Sequence, residues 1–197
     1  KRDDIIPAIT QDNDVKTILY TGSMNKKYGI LELLEAFSKI RMPDFQLVLC
    51  GLGNAESIIN EYSERDSRIL FIGTVPHDEV LGLQANATVL VNPRQNNEEF
   101  TKYSFPSKNL EYLSAGTPLV AYKLDGIPDE YDDYIYYVPD NDPVTLANRL
   151  TEVCEMPEEQ RMAMGLKARE FVNKNKNPNI QAKRILDFIK RELIGND

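Results

Sequence analysis

Short apolar runs alternate along the chain with longer segments whose apolar residues recur at helical spacing. Six of the runs have the length and continuity of buried β-strands. These predicted strands are 16–21, 46–50, 68–72, 88–91, 119–122 and 134–138. Continuous apolar strands indicate a sheet covered on both faces, and their alternation with helices indicates parallel crossover connections. The pattern therefore predicts an α/β fold with a doubly wound, mostly parallel sheet of about six strands.

Helical periodicity fills the stretches between these strands and dominates the end of the chain. The predicted helices are 28–40, 54–64, 78–84, 107–115, a segment from 143 onward, 158–173 and 178–193. The first of them has one apolar stripe, formed by Ile30, Leu33, Leu34, Phe37 and Ile40. Asp142 is typical of a helix N-cap, and Pro143 of the first helical position. We therefore divide the chain into a linker over 1–15, a Rossmann-like domain over 16–157 and extra C-terminal helices over 158–197.

Length and charge exclude several classes of protein. The 197 residues suit one α/β domain, or one domain with an appended helix. A net charge of −8 argues against nucleic-acid binding, which needs a basic face. No apolar run approaches the roughly 18 residues of a membrane span, and no signal-peptide pattern opens the chain. Because the chain begins with Lys1 rather than Met, we expect it to be a piece of a longer protein.

Charge is nevertheless uneven along the chain. Residues 161–191 carry nine Lys or Arg and two acids. The simpler interpretation is a solvated surface, and the alternative is contact with a missing domain or with anionic lipid headgroups.

The two cysteines, Cys50 and Cys154, lie far apart, and Cys50 ends an apolar run. Buried free thiols in a reducing, cytoplasmic setting fit this arrangement better than a disulfide. One His and two Cys cannot build a standard structural zinc site. We expect a cytoplasmic protein, with peripheral contact at the inner face of the membrane as an alternative.

Ligands of a doubly wound sheet bind beyond the carboxyl ends of its strands. The loop after residue 21 contains Gly22, Ser23, Lys26 and Lys27 directly before a predicted helix, which favours phosphate binding. A plain turn with solvated lysines is the equally weighted alternative. The loop at 51–53 is better interpreted as a structural turn, because it lacks the third glycine of a dinucleotide-binding motif.

A second candidate site lies where a helix is predicted to begin, at Pro106 and Ser107. Lys108 falls in the first turn, where the helix dipole disfavours a cation unless an anion binds there. Glu111, one turn later, has the chemistry to accept hydrogen bonds from two vicinal hydroxyls of a ribose. Alternatively, Ser107 caps the helix, Lys108 is solvated and Glu111 is a surface acid.

Two further motifs are interpreted as structural. The Asp-Asn-Asp run at 140–142 resembles a metal-binding motif, but its position before Pro143 is typical of a turn and helix cap. His77 follows Pro76 at a predicted helix start, and a surface or capping histidine is favoured over a catalytic base.

Residues 103–118 resemble the retaining glycosyltransferases of family 4, which have the GT-B architecture. The resemblance extends from about 15 to 155 and includes the Gly22 loop, the turn at 51–53, Gly73-Thr74-Val75 and the run from Glu111 to Pro118. It implies that this chain is the carboxyl-terminal, donor-binding domain. The expected site has Glu111 on the ribose, backbone near Gly73, Thr74 and Val75 on the base, and amides near Ser107 and Lys108, with the Gly22 loop, on the diphosphate.

The chain departs from the family pattern at the donor sugar and at the first phosphate loop. The first of two motif Glu residues falls at Tyr103, and Glu98 or Glu99 is the expected replacement. The usual Arg and Lys of the first loop fall at Ser23 and Tyr28. Lys26, Lys27 and Lys108 are the candidates to supply the missing charge, and Lys108 is preferred.

The resemblance implies retaining transfer of a hexosyl group from a nucleoside-diphosphate sugar, for example in polysaccharide biosynthesis. Lys108, Tyr103 and Glu98 are the candidate catalytic residues, and neither a metal nor another cofactor is expected. The acceptor would bind to an amino-terminal domain absent here, so the fragment should be inactive by itself, with its last helix packing on that domain or on a neighbour. Alternatives are an epimerase of the same architecture and a non-catalytic module that binds a nucleotide or a protein. The hypothesis fails if the helix start at 106–107 is sealed, or if Glu111 points away from any cleft.

Overall fold

The computed structural model describes residues 15–97 and 99–194, so nearly all of the predicted linker lies outside the described residues. Six parallel strands form one sheet, in the spatial order β3-β2-β1-β4-β5-β6. The strands are β1 (Lys16–Thr21), β2 (Phe45–Cys50), β3 (Ile69–Gly73), β4 (Val89–Asn92), β5 (Leu119–Tyr122) and β6 (Tyr136–Val138). The predicted doubly wound sheet is confirmed, and its order is that of a Rossmann-type fold.

Seven α-helices are present among the described residues. They are α1 (Ile30–Lys39), α2 (Glu56–Arg65), α3 (His77–Asn86), α4 (Ser107–Ala115), α5 (Pro143–Glu155), α6 (Glu158–Asn175) and α7 (Pro178–Ile194). Short 3-10 helices cover Lys26–Tyr28, Glu99–Lys102 and Asp129–Tyr134. Each predicted helix is found, with no end shifted by more than two residues and α4 at its predicted bounds.

The core lies on both faces of the central strands, where apolar side chains of β1, β2, β4 and β5 are almost fully buried. The predicted stripe of α1 is also buried, and α1 packs beside α5. Asp142 caps α5, because its side chain accepts a hydrogen bond from the Val144 amide at 2.9 Å. Cys50 and Cys154 are buried free cysteines, as predicted.

The last predicted strand is wrong in its first two residues. Tyr134 ends a 3-10 helix, and β6 begins only at Tyr136. The Tyr134 ring stacks on Phe171 of α6 with centroids 4.3 Å apart. A tertiary aromatic contact therefore occupies the side chain that the local apolar pattern assigned to the sheet.

The turn at 51–53 has a packing role. A Cβ atom on Gly53 would lie 2.3 Å from the Met24 carbonyl carbon, so only glycine allows the loops after β1 and β2 to approach this closely. The Met24 amide donates to the Leu52 carbonyl at 2.8 Å. The interpretation as a structural turn is confirmed.

The two final helices pack differently. Gly165 of α6 lies against α4, because an added Cβ would come within 1.9 Å of the Gly116 carbonyl oxygen. Apolar residues of α7 remain 42–60% exposed, namely Ile185, Leu186, Phe188 and Ile189. That α7 packs on another domain or a neighbour stays a prediction. Within the described part of the chain, no helix combines the length and apolarity required to cross a bilayer.

Candidate functional site

The candidate site lies where the connections from the sheet diverge. From β1 the chain turns toward β2 on one side, whereas β4 continues toward β5 on the other. A crevice forms at such a switch point beyond the carboxyl ends of the strands. A cleft of about 220 Å³ is found there, lined by Tyr20, Gly22, Ser23, Tyr28, Asn92, Arg94, Pro106, Ser107 and Lys108.

The start of α4 forms one wall of this cleft. Pro106 occupies the N-cap position and Ser107 is the first helical residue, so the predicted boundary is confirmed. Pro106 makes no side-chain capping hydrogen bond, and Ser107 is exposed. Because Pro106, Ser107 and Lys108 all line the cleft, the helix start is open rather than sealed.

Glu111 is held beside the cleft by two donors. Lys108 Nζ lies 2.9 Å from Glu111 Oε2, and Gln84 Nε2 of α3 lies 2.5 Å from Glu111 Oε1. The Lys108 and Glu111 side chains are 30% and 29% exposed, so neither is free in solvent. Burial opposes ionisation of Glu111, but the hydrogen bonds from Gln84 and Lys108 and the nearby His77 outweigh it and lower its pKa. Glu111 is therefore a preorganised carboxylate.

A buried tyrosine fixes the end of β1 against α4. The fully buried Tyr112 hydroxyl accepts from the Thr21 amide at 2.7 Å and donates to the Thr21 carbonyl at 2.9 Å. Gln84 also donates to Thr21 Oγ1 at 2.8 Å. Gln84 thus connects the end of β1, which leads into Gly22, to Glu111.

Of the residues predicted for the phosphate site, four line the cleft: Gly22, Ser23, Ser107 and Lys108. The two lysines of the first loop do not line it, and both are exposed. The Lys26 amide binds the Asn54 side chain at 2.9 Å, and Lys27 Nζ lies 5.2 Å from the centre of the Tyr28 ring. Lys26 and Lys27 therefore act here as surface residues, and Lys108 is the lysine placed to meet a ligand.

The remaining candidates lie outside the lining of the cleft. Gly73 ends β3, and Thr74 and Val75 follow it in the connection to α3. Tyr103 is 82% exposed and does not line the cleft, which does not favour a catalytic role within this domain. Glu98 lies outside the described residues.

Sequence reasoning missed several residues at the candidate site, among them Gln84, Arg94 and Tyr112. Tyr112 and Gln84 act through hydrogen bonds to β1 and to Glu111. Arg94 follows β4 directly and lines the cleft opposite Lys108. Its place just beyond a strand end was the available signal, because that loop faces the ligand edge of the sheet.

Comparison with known proteins agrees with this geometry. The phosphatidyl-myo-inositol mannosyltransferase of Mycobacterium tuberculosis is 30% identical over 113 residues, which are 56% of this chain and 29% of that protein. The D-inositol 3-phosphate glycosyltransferase of Corynebacterium kroppenstedtii is 26% identical over 171 residues, which are 80% of this chain and 36% of that protein. The chain therefore spans about a third of the length of these curated relatives.

Among solved structures, the HepE protein of Anabaena in complex with UDP matches with a TM-score of 0.77 and 14% identity. The match covers 94% of this chain and 52% of that protein. A family model described as "Glycosyl transferases group 1" matches residues 1–171. The chain belongs to the group 1 glycosyl transferases, and its fold is the one found in GT-B glycosyltransferases.

Proposed function

We propose that this chain binds a nucleoside-diphosphate sugar in the cleft at the start of α4, as the donor half of a retaining glycosyltransferase. The observation that carries the proposal is the pairing of Lys108 and Glu111 at an open helix start beside the switch point of the sheet. The cation and the first-turn amides suit a diphosphate, and the carboxylate suits the vicinal hydroxyls of a ribose.

Lys108 can bind a phosphate while Glu111 binds the ribose in the same complex. A lysine ammonium has three donors, so Lys108 can keep its bond to Glu111 and also donate to a phosphate oxygen. Gln84 holds the other Glu111 oxygen, which fixes the carboxylate before a ligand arrives. Little reorganisation is then needed on binding, and this favours affinity.

The proposed sugar transfer depends on stabilising the negative charge that develops on the leaving diphosphate. As the bond between the anomeric carbon and the diphosphate breaks, negative charge grows on the leaving group. Lys108 and the amides of Ser107 and Lys108 would stabilise that charge in a fixed geometry. The proposal invokes neither a metal nor a nucleophilic carboxylate. The acceptor is assigned to a second domain, so this chain should bind donor but scarcely transfer it.

The names of similar proteins support a sugar-nucleotide donor. HepE of Anabaena was solved with UDP, and also with UDP-glucose. The relative from Mycobacterium tuberculosis is a mannosyltransferase. We assign base recognition to the backbone near Gly73, Thr74 and Val75, in the connection between β3 and α3.

A thermal-shift panel of UDP, GDP, ADP and CDP, each with its common sugar derivatives, tests the proposal. At least one compound should raise the melting temperature of the chain, since a ligand that binds only the native state stabilises it. Absence of a shift from every compound at millimolar concentration would contradict donor binding.

The ribose assignment is tested by Glu111→Ala. Loss of a charged hydrogen-bond acceptor should weaken binding of the active nucleotide about tenfold or more. Glu61→Ala is the matched control, because Glu61 on α2 is 59% exposed and remote from the cleft. Equal affinities of Glu111→Ala and wild type would remove Glu111 from the site.

A further inference from the structure

We propose that Arg94 binds the phosphate farther from the nucleoside, as a second cation of the diphosphate site supplied by the segment after β4. This inference rests on the proposed function and deepens it. The site predicted from the sequence includes no cation from this segment. The inference starts from the position of Arg94, which lines the cleft with Ser23 and Lys108.

The guanidinium of Arg94 is held in place by neutral groups. Its carbon Cζ lies 4.4 Å from the centre of the Phe100 ring and 5.6 Å from that of Tyr28. Its Nη2 donates to Ser104 Oγ at 3.0 Å. Stacking on aromatic rings orients the planar group without supplying a negative charge.

Arg68 is also partly buried and lies near an aromatic ring, but its positive charge is paired with a carboxylate. Arg68 lies 4.9 Å from the Phe37 ring and binds both carboxylate oxygens of Asp66, at 3.0 and 2.6 Å. Arg94 forms no ion pair with any described residue, and its Nε is buried without a hydrogen-bond partner among them. Hydrogen bonding to Asp66 raises the pKa of Arg68, whereas burial lowers the pKa of Arg94.

A cation removed from water without a counter-charge costs free energy. A purely structural role for Arg94 does not account for this cost, because an apolar side chain would pack on Phe100 without burying a charge. A bound anion would offset the cost, and arginine is well suited to phosphate because its planar donors match phosphate oxygens. The cleft beside Arg94 is the place where such an anion would lie.

The position of Arg94 also indicates which phosphate it meets. Glu111, assigned to the ribose, is held by Gln84 of α3, so the nucleoside end lies toward β3. Arg94 follows β4 and contacts the segment that contains Phe100 and Ser104. Lys108 contacts Glu111 and also lines the cleft, so it lies between the two ends. The phosphate nearer the transferred sugar is therefore the one next to Arg94.

The test compares nucleoside diphosphates with monophosphates by titration calorimetry. Wild type is titrated with UDP, GDP, ADP and CDP, and the tightest is used on the variants together with its monophosphate. Arg94→Gln should weaken the diphosphate about ten- to hundredfold, as expected for loss of a charge-assisted hydrogen bond. The same variant should change monophosphate affinity by no more than about twofold, because the lost contact is absent from that ligand.

Two further variants separate binding from folding. Arg94→Gln should melt at or above the wild-type temperature without ligand, because it removes a partly buried charge that no described residue pairs. Arg68→Gln is the matched control and should show the opposite pattern, with a lower melting temperature and unchanged nucleotide affinity. Arg94→Lys keeps the charge and should recover part of the diphosphate affinity.

Several results would overturn the inference. Unchanged diphosphate affinity in Arg94→Gln would show that Arg94 does not contact the diphosphate. An equal loss of affinity for the diphosphate and the monophosphate would show that Arg94 does not bind the phosphate farther from the nucleoside. A fall in melting temperature as large as that of Arg68→Gln makes Arg94 a structural residue. If wild type binds none of the four diphosphates, the proposed function fails, and this inference fails with it.

Discussion

Gly29 joins the 3-10 helix Lys26–Tyr28 to α1, and replacing it with alanine tests how the cleft is built. Its φ angle is +83°, in the left-handed region that disfavours a side chain. A Cβ atom there would lie 2.0 Å from the carbonyl oxygen of Pro93 and 2.6 Å from its carbonyl carbon. Both are backbone atoms directly before Arg94, so a shift of Pro93 would also move a wall of the cleft.

The expected cost of Gly29→Ala has two sources. The left-handed conformation costs an alanine about 1–2 kcal/mol relative to glycine. Forcing a methyl group against backbone adds about 1–3 kcal/mol of overpacking strain. Together these reduce the free energy of unfolding by about 2–5 kcal/mol, a large part of the roughly 5–15 kcal/mol typical of a domain.

Thermal unfolding of Gly29→Ala should show a melting temperature lowered by roughly 4–20 °C for a chain of this size. Gly82→Ala is the matched control, because Gly82 lies inside α3 and an added Cβ meets nothing within 4 Å. That control should stabilise the protein by about 0.5–1 kcal/mol, since alanine is the better helix former. If Gly29→Ala melts as high as wild type, the close approach to Pro93 does not constrain the fold and the reasoning is wrong.

Three other substitutions have defined outcomes. Tyr112→Phe leaves the buried Thr21 amide without its acceptor and should lower the free energy of unfolding in urea by about 1–3 kcal/mol; a loss near zero would mean that water replaces the hydroxyl. Asp142→Ala removes the cap on the Val144 amide and should cost about 1 kcal/mol in the same assay; no loss would mean the cap is dispensable. Because the folded-state pKa of Glu111 is lowered, its stabilising contribution is present above the ordinary carboxyl pKa and is lost as pH falls through the folded value. The difference in unfolding free energy between wild type and Glu111→Gln should therefore shrink below about pH 4, and a difference independent of pH would contradict the ionic role.

The sheet and most helices were predictable because burial imposes a local pattern. β1 and β5 have the predicted bounds, since most buried positions of a doubly covered strand are apolar. The stripe of α1 was visible for the same reason, at helical rather than strand spacing. The bounds of β6 were not predictable, because Tyr134 stacks on Phe171, a residue 37 positions later.

In the candidate site, too, contacts within one element were predictable and contacts between distant segments were not. Ser107, Lys108 and Glu111 lie within one turn of a single helix, so their proximity follows from helical spacing. Arg94 meets Phe100 and Ser104 of its own connection after β4, and also the Tyr28 ring from the connection after β1. That meeting requires β4 to pair with β1, and neither strand carries a local signal for its neighbour. Residues brought together by strand order are therefore the ones that a single sequence conceals.

The charge distribution bears on the diphosphate binding proposed for the cleft. The chain carries a net charge of −8, which by itself repels a nucleoside diphosphate. In the cleft, however, Lys108 and Arg94 face the same space, and Glu111 neutralises only Lys108. A low-dielectric cleft strengthens this local excess of positive charge relative to the screened charges outside. Raising the ionic strength should therefore weaken diphosphate binding less than it would weaken an exposed ion pair, because the two cations and their ligand are partly shielded from solvent.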